Sequence, residues 1–395
     1  MIQQWQYFRS ITMQNRRIIT AIVSAFIMGM ACPIFAAAKP LYKTDPVLGK
    51  GLKYLMATQA PNGGWVTQVG PAVTALAVKA MVKGGIPVSN PAVVKAMKFI
   101  ESFHQPDGGF YARDLLQNYN TAIVLSTLAV LPHKQYAAQI KAAQHYLMSL
   151  QHLAGQKTAT GKIITPDSSW YGGVGYGHDR PDLSNTAFFI QALHDSGVPA
   201  SNPAMKAALA FVTHCQENSE TNSMAWAKGT HNGGFIYTPV NGGGGSFGDH
   251  DTLRGSAHAK GDLNSQWTPY GSMTYAGLKS MIYCGLTRKD PRVIAAIKWI
   301  RANWTLNSNP GTGGSRMGLF YYYMMFTRAL HALHVKTITD DNGIAHHWQS
   351  EIRAKLKSLQ NSNGSWKNKW SPRWLEFSAP LVTSYVCLIL DTVDR

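Results

Sequence analysis

The chain has 395 residues, of which 45% are apolar and 14% charged, so it can bury a large core and its composition excludes a disordered polypeptide. Lys and Arg number 37 against 20 Asp and Glu, a formal charge of +17, which favours an anionic lipid surface or an acidic polymer as a partner. The basic residues form no run of four and no Cys/His spacing matches a zinc finger, so the sequence argues against nucleic acid as a partner.

The first 38 residues have the pattern of an export signal. Arg16 and Arg17 precede an apolar stretch over 18–31, and Ala36-Ala37-Ala38 offers a cleavage site of small residues. The apolar stretch is about 14 residues long, and a membrane-spanning helix needs roughly 20. We therefore expect a signal peptide over 1–38 and one mature domain over 39–395, periplasmic or extracellular. The alternative is an uncleaved anchor that keeps the protein membrane-associated.

The cysteines argue against a disulfide framework. Removal of the leader would remove Cys32 and leave Cys215, Cys284 and Cys387, an odd number. Cys284 and Cys387 lie inside apolar helical patterns, where a small buried thiol is the ordinary expectation. No metal site and no catalytic thiolate is predicted.

The strongest pattern in the mature chain is an internal repeat, visible six times. Each unit has a first helix that ends near a Gln, a Gly-rich turn with an aromatic residue, and a second helix that opens with Thr-Ala or a variant. The copies are 59–65 (QAPNGGW), 105–110 (QPDGGF), Gln151 with 170–173 (WYGG), Gln216 with 231–235 (HNGGF), Trp304 with Gly313-Gly314, and 360–366 (QNSNGSW).

The turn residues have structural reasons. Gly-Gly gives the backbone access to positive φ, and Pro, Asn or Asp reverses the chain. The aromatic residue fills the gap between stacked helix pairs, so we expect Trp65, Phe110, Phe235 and Trp366 to serve packing and not a site.

Two kinds of helix alternate along the repeats. The first helices carry a polar face and are predicted at about 46–58, 91–104, 136–151, 202–216, 290–304 and 346–360. The second helices are apolar nearly all round and are predicted at about 71–83, 120–131, 184–196, 271–285, 319–334 and 380–391. Since an apolar helix must be surrounded, six outer and six inner helices in a closed double ring are predicted, an all-α α6/α6 toroid.

This arrangement resembles the squalene cyclase and protein prenyltransferase superfamily, whose repeats carry a Gln-x-x-(Asp/Asn)-Gly-(Gly/Ser)-(Trp/Phe) element. The resemblance covers nearly the whole mature chain, and 270–280 (YGSMTYAGLKS) and 319–323 (LFYYY) are similar to squalene-cyclase-like and prenyltransferase-like bacterial proteins. It implies a toroid, but cyclases, transferases, lyases and ligand carriers share that fold.

The family's motifs are only partly present. The resemblance would place the zinc ligands of a prenyltransferase near 271–275 and 322–325, but these read GSMTY and YYMM, which lack the Asp, Cys and His that zinc needs. Zinc-dependent prenyl transfer is therefore disfavoured. Protonating cyclases carry Asp-x-Asp-Asp, and the nearest string is Asp249-His250-Asp251, so Asp251, with Asp249 and His250, is the predicted catalytic group.

Long loops indicate where a site would lie. Insertions at about 152–183 and 217–269 lead from outer to inner helices, and such loops in a compact scaffold are usually functional or mobile. They would bring aromatic, acidic and basic side chains to one rim, where inner-helix N-termini favour an anion. The predicted rim residues are Trp170, Tyr171, Tyr176, His178, Asp179, Arg180, Asp182, Phe247, Arg254, His258, Trp267 and Tyr270.

The predicted lining of the ring is aromatic and apolar. It would include Tyr275, Tyr321, Tyr322, Tyr323, Met324, Phe188 and Phe189 where these turn toward the axis. Residues facing the axis of a toroid either fill it or form the wall of a ligand cavity.

Three functions fit the sequence. The first, placed first by the resemblance, is an exported cyclase-like enzyme that binds an isoprenoid or similar apolar molecule in an aromatic cavity. The second is a noncatalytic toroid that binds an apolar ligand or a partner protein. The third is a lyase acting on an acidic polysaccharide, with Arg neutralising a carboxylate while Tyr or His removes a proton. No cofactor is predicted, since nucleotide-binding motifs are missing from the sequence.

Overall fold

The computed structural model describes residues 41–240 and 269–394, and in this part the regular secondary structure is almost entirely helical. A short helix α1 (Leu41–Thr44) precedes the repeats. The outer helices are α2 (Pro46–Ala57), α4 (Pro91–Glu101), α6 (His133–Ser149), α8 (Pro203–His214), α10 (Pro291–Ala302) and α12 (Trp348–Leu359). The inner helices are α3 (Ala72–Lys83), α5 (Gln117–Leu128), α7 (Leu183–Asp195), α9 (Gly271–Tyr283), α11 (Leu319–Ala332) and α13 (Ala379–Val393). A two-stranded antiparallel hairpin, β1 (Ile338–Thr339) and β2 (Ala345–His346), lies between α11 and α12.

The inner helices close into a ring. Each contacts the next in the order α3, α5, α7, α9, α11 and α13, and α13 packs back against α3. Each outer helix lies against an inner one, α4 on α3 and α12 on α13 among them. The expected all-α toroid is confirmed.

Burial distinguishes the two rings as the hydrophobic pattern predicts. In the outer helix α4 the buried residues are Val93, Ala96, Met97 and Ile100, one face at helical spacing. In the inner helix α3 every residue from Ala72 to Met81 is buried. The predicted helices agree with the observed bounds to within a few residues at each end.

Four of the six outer helices begin at a cap-and-proline pair. Asp45, Asn90, Asn202 and Asp290 each accept a hydrogen bond through the side chain from the backbone N–H two residues on. A proline follows each of these four residues, where its fixed φ suits the first helical turn.

The repeated glutamine joins one unit to the next in four of the repeats, whereas Gln105 of the second repeat bonds only within its own unit. Gln151 Nε2 donates to the carbonyl of Gly172 in its own turn and to that of Ala204 in the following outer helix, both at 2.9 Å. Gln59, Gln216 and Gln360 make the same two bonds in their units. The glutamine is therefore a structural bracket between adjacent repeats, and Gln360 makes its bond to Val47, which closes the ring.

The repeated threonine and aromatic residue form a second link. Trp65 N donates to Thr74 Oγ1 of α3 at 3.0 Å, and Phe110–Thr121, Phe235–Thr274 and Trp366–Thr383 repeat the bond. All four aromatic side chains are buried, so they pack between helices as predicted.

Three cysteines lie among the described residues. Cys215, Cys284 and Cys387 are free and buried, and burial raises the pKa of each thiol. Among residues 41–240 and 269–394, none of the helices combines the length and the apolar character that a bilayer crossing demands. The predicted signal peptide lies outside the described residues.

Candidate functional site

A cavity of about 190 Å³, here called the axial cavity, lies at the N-terminal ends of the inner helices. All six inner helices reach it, either directly or through the residue that precedes them. It is lined by Val69, Val73, Leu116, Tyr119, Tyr176, Ser184, Asn185, Phe188, Tyr237, Tyr270, Ser272, Met273, Gly318, Tyr321, Trp374, Leu375, Glu376, Leu381 and Tyr385. The cavity therefore sits on the ring axis, at the rim the long loops were predicted to reach.

Aromatic rings dominate the wall of the axial cavity. The rings of Tyr119 and Phe188 meet edge to face at 5.2 Å between centroids, and Phe188 stacks on Tyr321 at 6.0 Å. Burial raises the pKa of Tyr119, Tyr321 and Tyr385 above the ordinary phenol value, so these tyrosines stay neutral at physiological pH. Such a wall offers π-faces, which attract a cation.

Glu376 is the carboxyl group in the wall of the axial cavity. It is 1% exposed, its Oε1 accepts a hydrogen bond from Tyr321 N and its Oε2 accepts one from Asn368 Nδ2, each at 2.7 Å. Burial raises the pKa of Glu376 to about 7, although Asn368 and the first backbone N–H groups of α11 act in the opposite direction. The group can thus hold or release a proton near neutral pH.

A second buried acid stands behind the cavity wall. Asp182 caps α7, accepting from Asn185 N at 2.8 Å and from Asn185 Nδ2 at 2.7 Å. Burial raises the pKa of Asp182 to about 6, against the hydrogen bonds from Asn185 and Tyr237. Tyr237 lines the axial cavity, so it connects this acid to the cavity.

Backbone strain is concentrated at the same place. Leu116, Trp374 and Leu375 line the axial cavity with φ of 51°, 52° and 62°, a left-handed conformation that is uncommon for side chains of this size. Strain of this kind costs about 1–3 kcal/mol per residue and tends to cluster at binding and catalytic sites. It supports the axial cavity as the functional site.

Some predicted site residues lie in the axial cavity and others fall outside the described residues. Tyr176 and Tyr270 line it, as do Phe188 and Tyr321. The predicted catalytic group Asp249, His250 and Asp251, together with Phe247, Arg254, His258 and Trp267, lies outside the described residues. Their role stays a prediction.

Five other predicted rim residues lie in the first insertion, away from the cavity lining. Trp170 packs edge to face on His152, with 4.9 Å between centroids. Asp179 accepts from Gly177 N through its side chain and from His152 Nε2 through its carbonyl. Tyr171 and Arg180 are half-buried and His178 is exposed. These contacts order the insertion, and none of the five reaches the lining.

Three predicted lining residues lie inside the ring wall. Tyr275 is 1% exposed, with its ring 5.1 Å from that of Phe326. The hydroxyls of Tyr322 and Tyr323 donate to the carbonyls of Thr305 and Leu306, at 2.7 and 2.5 Å. The two hydroxyls tie α11 to the segment after α10. Phe189 and Met324 are buried in the core, outside the cavity lining.

The sequence reasoning missed Glu376, Tyr119, Tyr237 and Tyr385. A signal for Glu376 is present, because it is a lone acid in the stretch Trp374-Leu375-Glu376-Phe377 just before an inner helix. The stretch reads as a turn, and only the fold shows that it reaches the axis. In the described part of the chain no three His, Cys, Asp or Glu side chains are grouped so as to hold a metal ion.

The comparisons with known proteins agree with the fold. Residues 68–238 match the model of the squalene-hopene cyclase C-terminal domain. No curated protein sequence matches the chain significantly. A solved structure of a protein from Actinoplanes is similar with a TM-score of 0.52 and 14% identity, over 89% of this chain and 99% of that one. A variant of the type II terpene cyclase MstE from Scytonema, in complex with geranylgeranyl dihydroxybenzoate, has a TM-score of 0.50 and 13% identity, over 90% and 98%.

These findings concern the sequence of part of the chain and the fold of most of it. The resemblance to the squalene cyclase superfamily is confirmed, by sequence over 68–238 and by fold over most of the chain. At 13–14% identity the structural likeness shows the fold alone.

The raised pKa of Glu376 leads to a pH prediction. Because its folded pKa of about 7 exceeds its ordinary value of 4.5, the native state binds the proton more tightly than the unfolded chain. Stability contributed by this group is therefore present below pH 4.5 and is lost as the pH rises to 7, by on the order of 3 kcal/mol. We expect urea unfolding of Glu376→Gln to show a flatter pH dependence than wild type over this range. Asp182→Asn is the control, because the pH-dependent stability that Asp182 contributes should be lost by about pH 6. Equal slopes in wild type and Glu376→Gln would contradict the assignment.

Proposed function

We propose that this protein is an exported squalene-cyclase-like toroid that binds an isoprenoid or similar apolar molecule in the axial cavity and transforms it by protonation from Glu376. The observation that carries the proposal is a buried carboxyl group with a pKa of about 7 in an aromatic wall on the ring axis. The similar terpene cyclase binds a geranylgeranyl substrate, which supports an apolar ligand here.

The chemistry follows from the groups in the wall. Neutral Glu376 transfers its proton to one carbon of an alkene, whose π electrons form the new C–H bond and leave a carbocation on the neighbouring carbon. The faces of Tyr119, Phe188 and Tyr321 then stabilise the positive charge. Loss of a proton from an adjacent carbon to the ionised carboxylate restores Glu376, so the reaction is an isomerisation with no net change in atoms or charge.

The dimensions of the axial cavity set what enters it. Its volume of about 190 Å³ is below the roughly 300–1,000 Å³ of pockets for drug-sized ligands. A long isoprenoid would therefore place only its reacting end inside. Its tail would extend toward the rim, where Tyr176 and Trp374 are 39% and 38% exposed.

The two alternative functions, a noncatalytic carrier and a polysaccharide lyase, need different residues in the cavity wall. A noncatalytic carrier would use the same apolar wall without proton transfer, and it remains the runner-up. A polysaccharide lyase needs an open, basic cleft, but among the described residues that line the axial cavity there is no Arg, Lys or His. The observation disfavours the lyase.

The ligand is tested by native mass spectrometry and solvent extraction of the full chain from its own host. An isoprenoid that is transformed in wild type and accumulates unreacted in Glu376→Gln would support the proposal. Accumulation in Asp251→Asn, with turnover in Glu376→Gln, would move the acid to Asp251. The same unchanged ligand in all three proteins would establish the carrier, and recovery of no apolar molecule would contradict binding.

Filling the axial cavity should abolish binding of the extracted ligand. Met273 lines the cavity and is 2% exposed, so Met273→Trp puts an indole ring into the available space. We expect affinity to fall at least tenfold, because binding buries apolar surface that the indole would occupy. Val94→Trp is the control, since Val94 is 43% exposed on the outer helix α4 and its change should leave affinity as in wild type. Equal affinity of Met273→Trp and wild type would place the ligand elsewhere.

A further inference from the structure

A second cavity opens at the opposite end of the ring, where the inner helices finish. It has a volume of about 250 Å³ and is lined by Lys79, Lys83, Val130, Gln191, Asp195, Tyr283, Arg328, His331, Leu388, Asp391 and Thr392. All six inner helices reach it, α5 through Val130 just beyond its end. We call it the basic cavity, because its composition differs entirely from that of the axial cavity.

Positive charges outnumber negative ones at this end. Lys79 pairs with Asp195 at 2.7 Å and Lys83 with Asp391 at 3.4 Å. Two further basic side chains, Arg328 in the lining and Lys279 behind it, have no carboxylate partner among the described residues. Four basic side chains thus lie near two carboxylates.

Arg328 is the group that points to a ligand. It is half-buried on α11 and lines both the basic cavity and a small pocket next to it. Its guanidinium makes no hydrogen bond and no ion pair with any residue in 41–240 or 269–394. Cations near helix C-termini ordinarily donate hydrogen bonds to the free carbonyls there. Arg328 donates to no carbonyl of the described residues. Its donors are left for a molecule in the cavity.

Lys279 is a second basic group without a carboxylate partner among the described residues. It is fully buried, its Nζ donates to the Ala187 carbonyl at 3.2 Å and lies 5.9 Å from the centroid of the Tyr283 ring. Burial lowers the pKa of Lys279, and Arg328 and Lys79 lower it further while Asp195 acts against them. The positive charge of Arg328 therefore adds to the effect of burial in disfavouring protonation of Lys279, and a bound anion would act in the opposite direction.

We propose that the basic cavity binds a phosphate group, either free or at the end of a small organic phosphate. A phosphate supplies the negative charge that Arg328 lacks among the described residues, and a guanidinium with free donors binds two phosphate oxygens at once. The lining side chains of Lys79, Gln191 and Tyr283 supply further donors around the same space. This site is separate from the axial cavity, and its existence does not depend on the proposed protonation by Glu376.

The test is calorimetric titration of the full chain with inorganic phosphate and with glycerol phosphate, in sodium chloride at constant ionic strength. We expect saturable binding of at least one of them, with affinity at least tenfold lower in Arg328→Gln and intermediate in Arg328→Lys. Tighter binding of inorganic phosphate would indicate the free ion, and tighter binding of the ester a terminal phosphate. Lys141→Gln removes an exposed charge on the outer helix α6 and should bind as wild type does.

Two results would overturn the proposal. Equal affinity in wild type and Arg328→Gln would show that the basic cavity is not the site, and equal losses in Arg328→Gln and Lys141→Gln would show nonspecific attraction. Thermal unfolding without phosphate checks for a merely structural arginine. Because Arg328 has no partner among the described residues, Arg328→Gln should melt no lower than wild type. A lower melting temperature together with unchanged phosphate affinity would show that Arg328 stabilises the helix ends and does not bind phosphate.

Discussion

Gly172→Ala is expected to prevent stable folding. Gly172 has φ +78°, and a Cβ built on it would lie 1.8 Å from the carbonyl oxygen of Ala207 in α8. Neither backbone can move freely, because Gln151 Nε2 donates to the Gly172 carbonyl and to Ala204 in the same helix. The clash adds to the strain of a positive φ, so we expect a loss of more than about 4 kcal/mol, which is exceptional for one substitution.

Gly155→Ala separates the clash from the backbone conformation. Gly155 lies in the same insertion with φ +87°, but a Cβ there would meet nothing within 4 Å. It should cost about 1 kcal/mol, the cost of a positive φ alone. Urea unfolding followed by circular dichroism measures both variants. Similar losses of stability in the two variants would mean that α8 shifts to accommodate the new methyl group.

Asp195→Asn should produce the second large effect. Asp195 holds Lys79 at 2.7 Å, accepts from Gln191 Nε2 at 2.6 Å, and also accepts from Ser126 Oγ. Although burial opposes its ionisation, Lys79 and the hydrogen bonds from His194 and Ser126 hold the pKa of Asp195 well below its ordinary value. Removing the carboxylate leaves the ammonium of Lys79 buried without a counter-charge, which costs about 3–5 kcal/mol.

The pH dependence of this loss provides an independent check. A group with a lowered folded pKa stabilises the protein above its unfolded pKa of about 3.9, and that stability disappears as the pH falls further. The difference between wild type and Asp195→Asn should therefore be full at pH 7 and shrink below pH 4. Asp341→Asn is the control, because Asp341 is 54% exposed in its pair with Arg301 at 3.6 Å and should change stability by less than about 1 kcal/mol. A loss of similar size in both variants would contradict a special role for burial.

The fold was predictable because the same pattern of helices and turns recurs several times in the sequence. Apolar inner helices and one-sided outer helices follow from burial, and the Gly-rich turns follow from positive φ. The roles of Gln151 and Thr74 were not predictable in the same way. Their partners, the Ala204 carbonyl and the N–H of Trp65, are backbone groups, which leave no mark on the sequence.

The site was less predictable, because facing the axis depends on helix rotation. Tyr321, Tyr322 and Tyr323 are consecutive and chemically identical, yet only Tyr321 lines the axial cavity. Its neighbours reach the carbonyls of Thr305 and Leu306. Glu376 could not be singled out among the acids because its pKa depends on burial by distant segments. The predicted acid Asp251 lies outside the described residues, so its comparison with Glu376 rests on the variants proposed above.

The bond from Gln360 to the Val47 carbonyl spans 313 positions of the chain, at 2.9 Å. Beside it, a Cβ on Gly364 would meet the Lys50 carbonyl, and one on Gly51 would meet the ring of Trp366. The first repeat can therefore pack against the sixth only after the sixth has been synthesised. Contacts of such sequence separation slow folding, because the chain must be ordered before they form. The ring should therefore close only after the sixth repeat has been synthesised, and a nascent chain that lacks this repeat would leave the apolar sides of α3 and α11 uncovered.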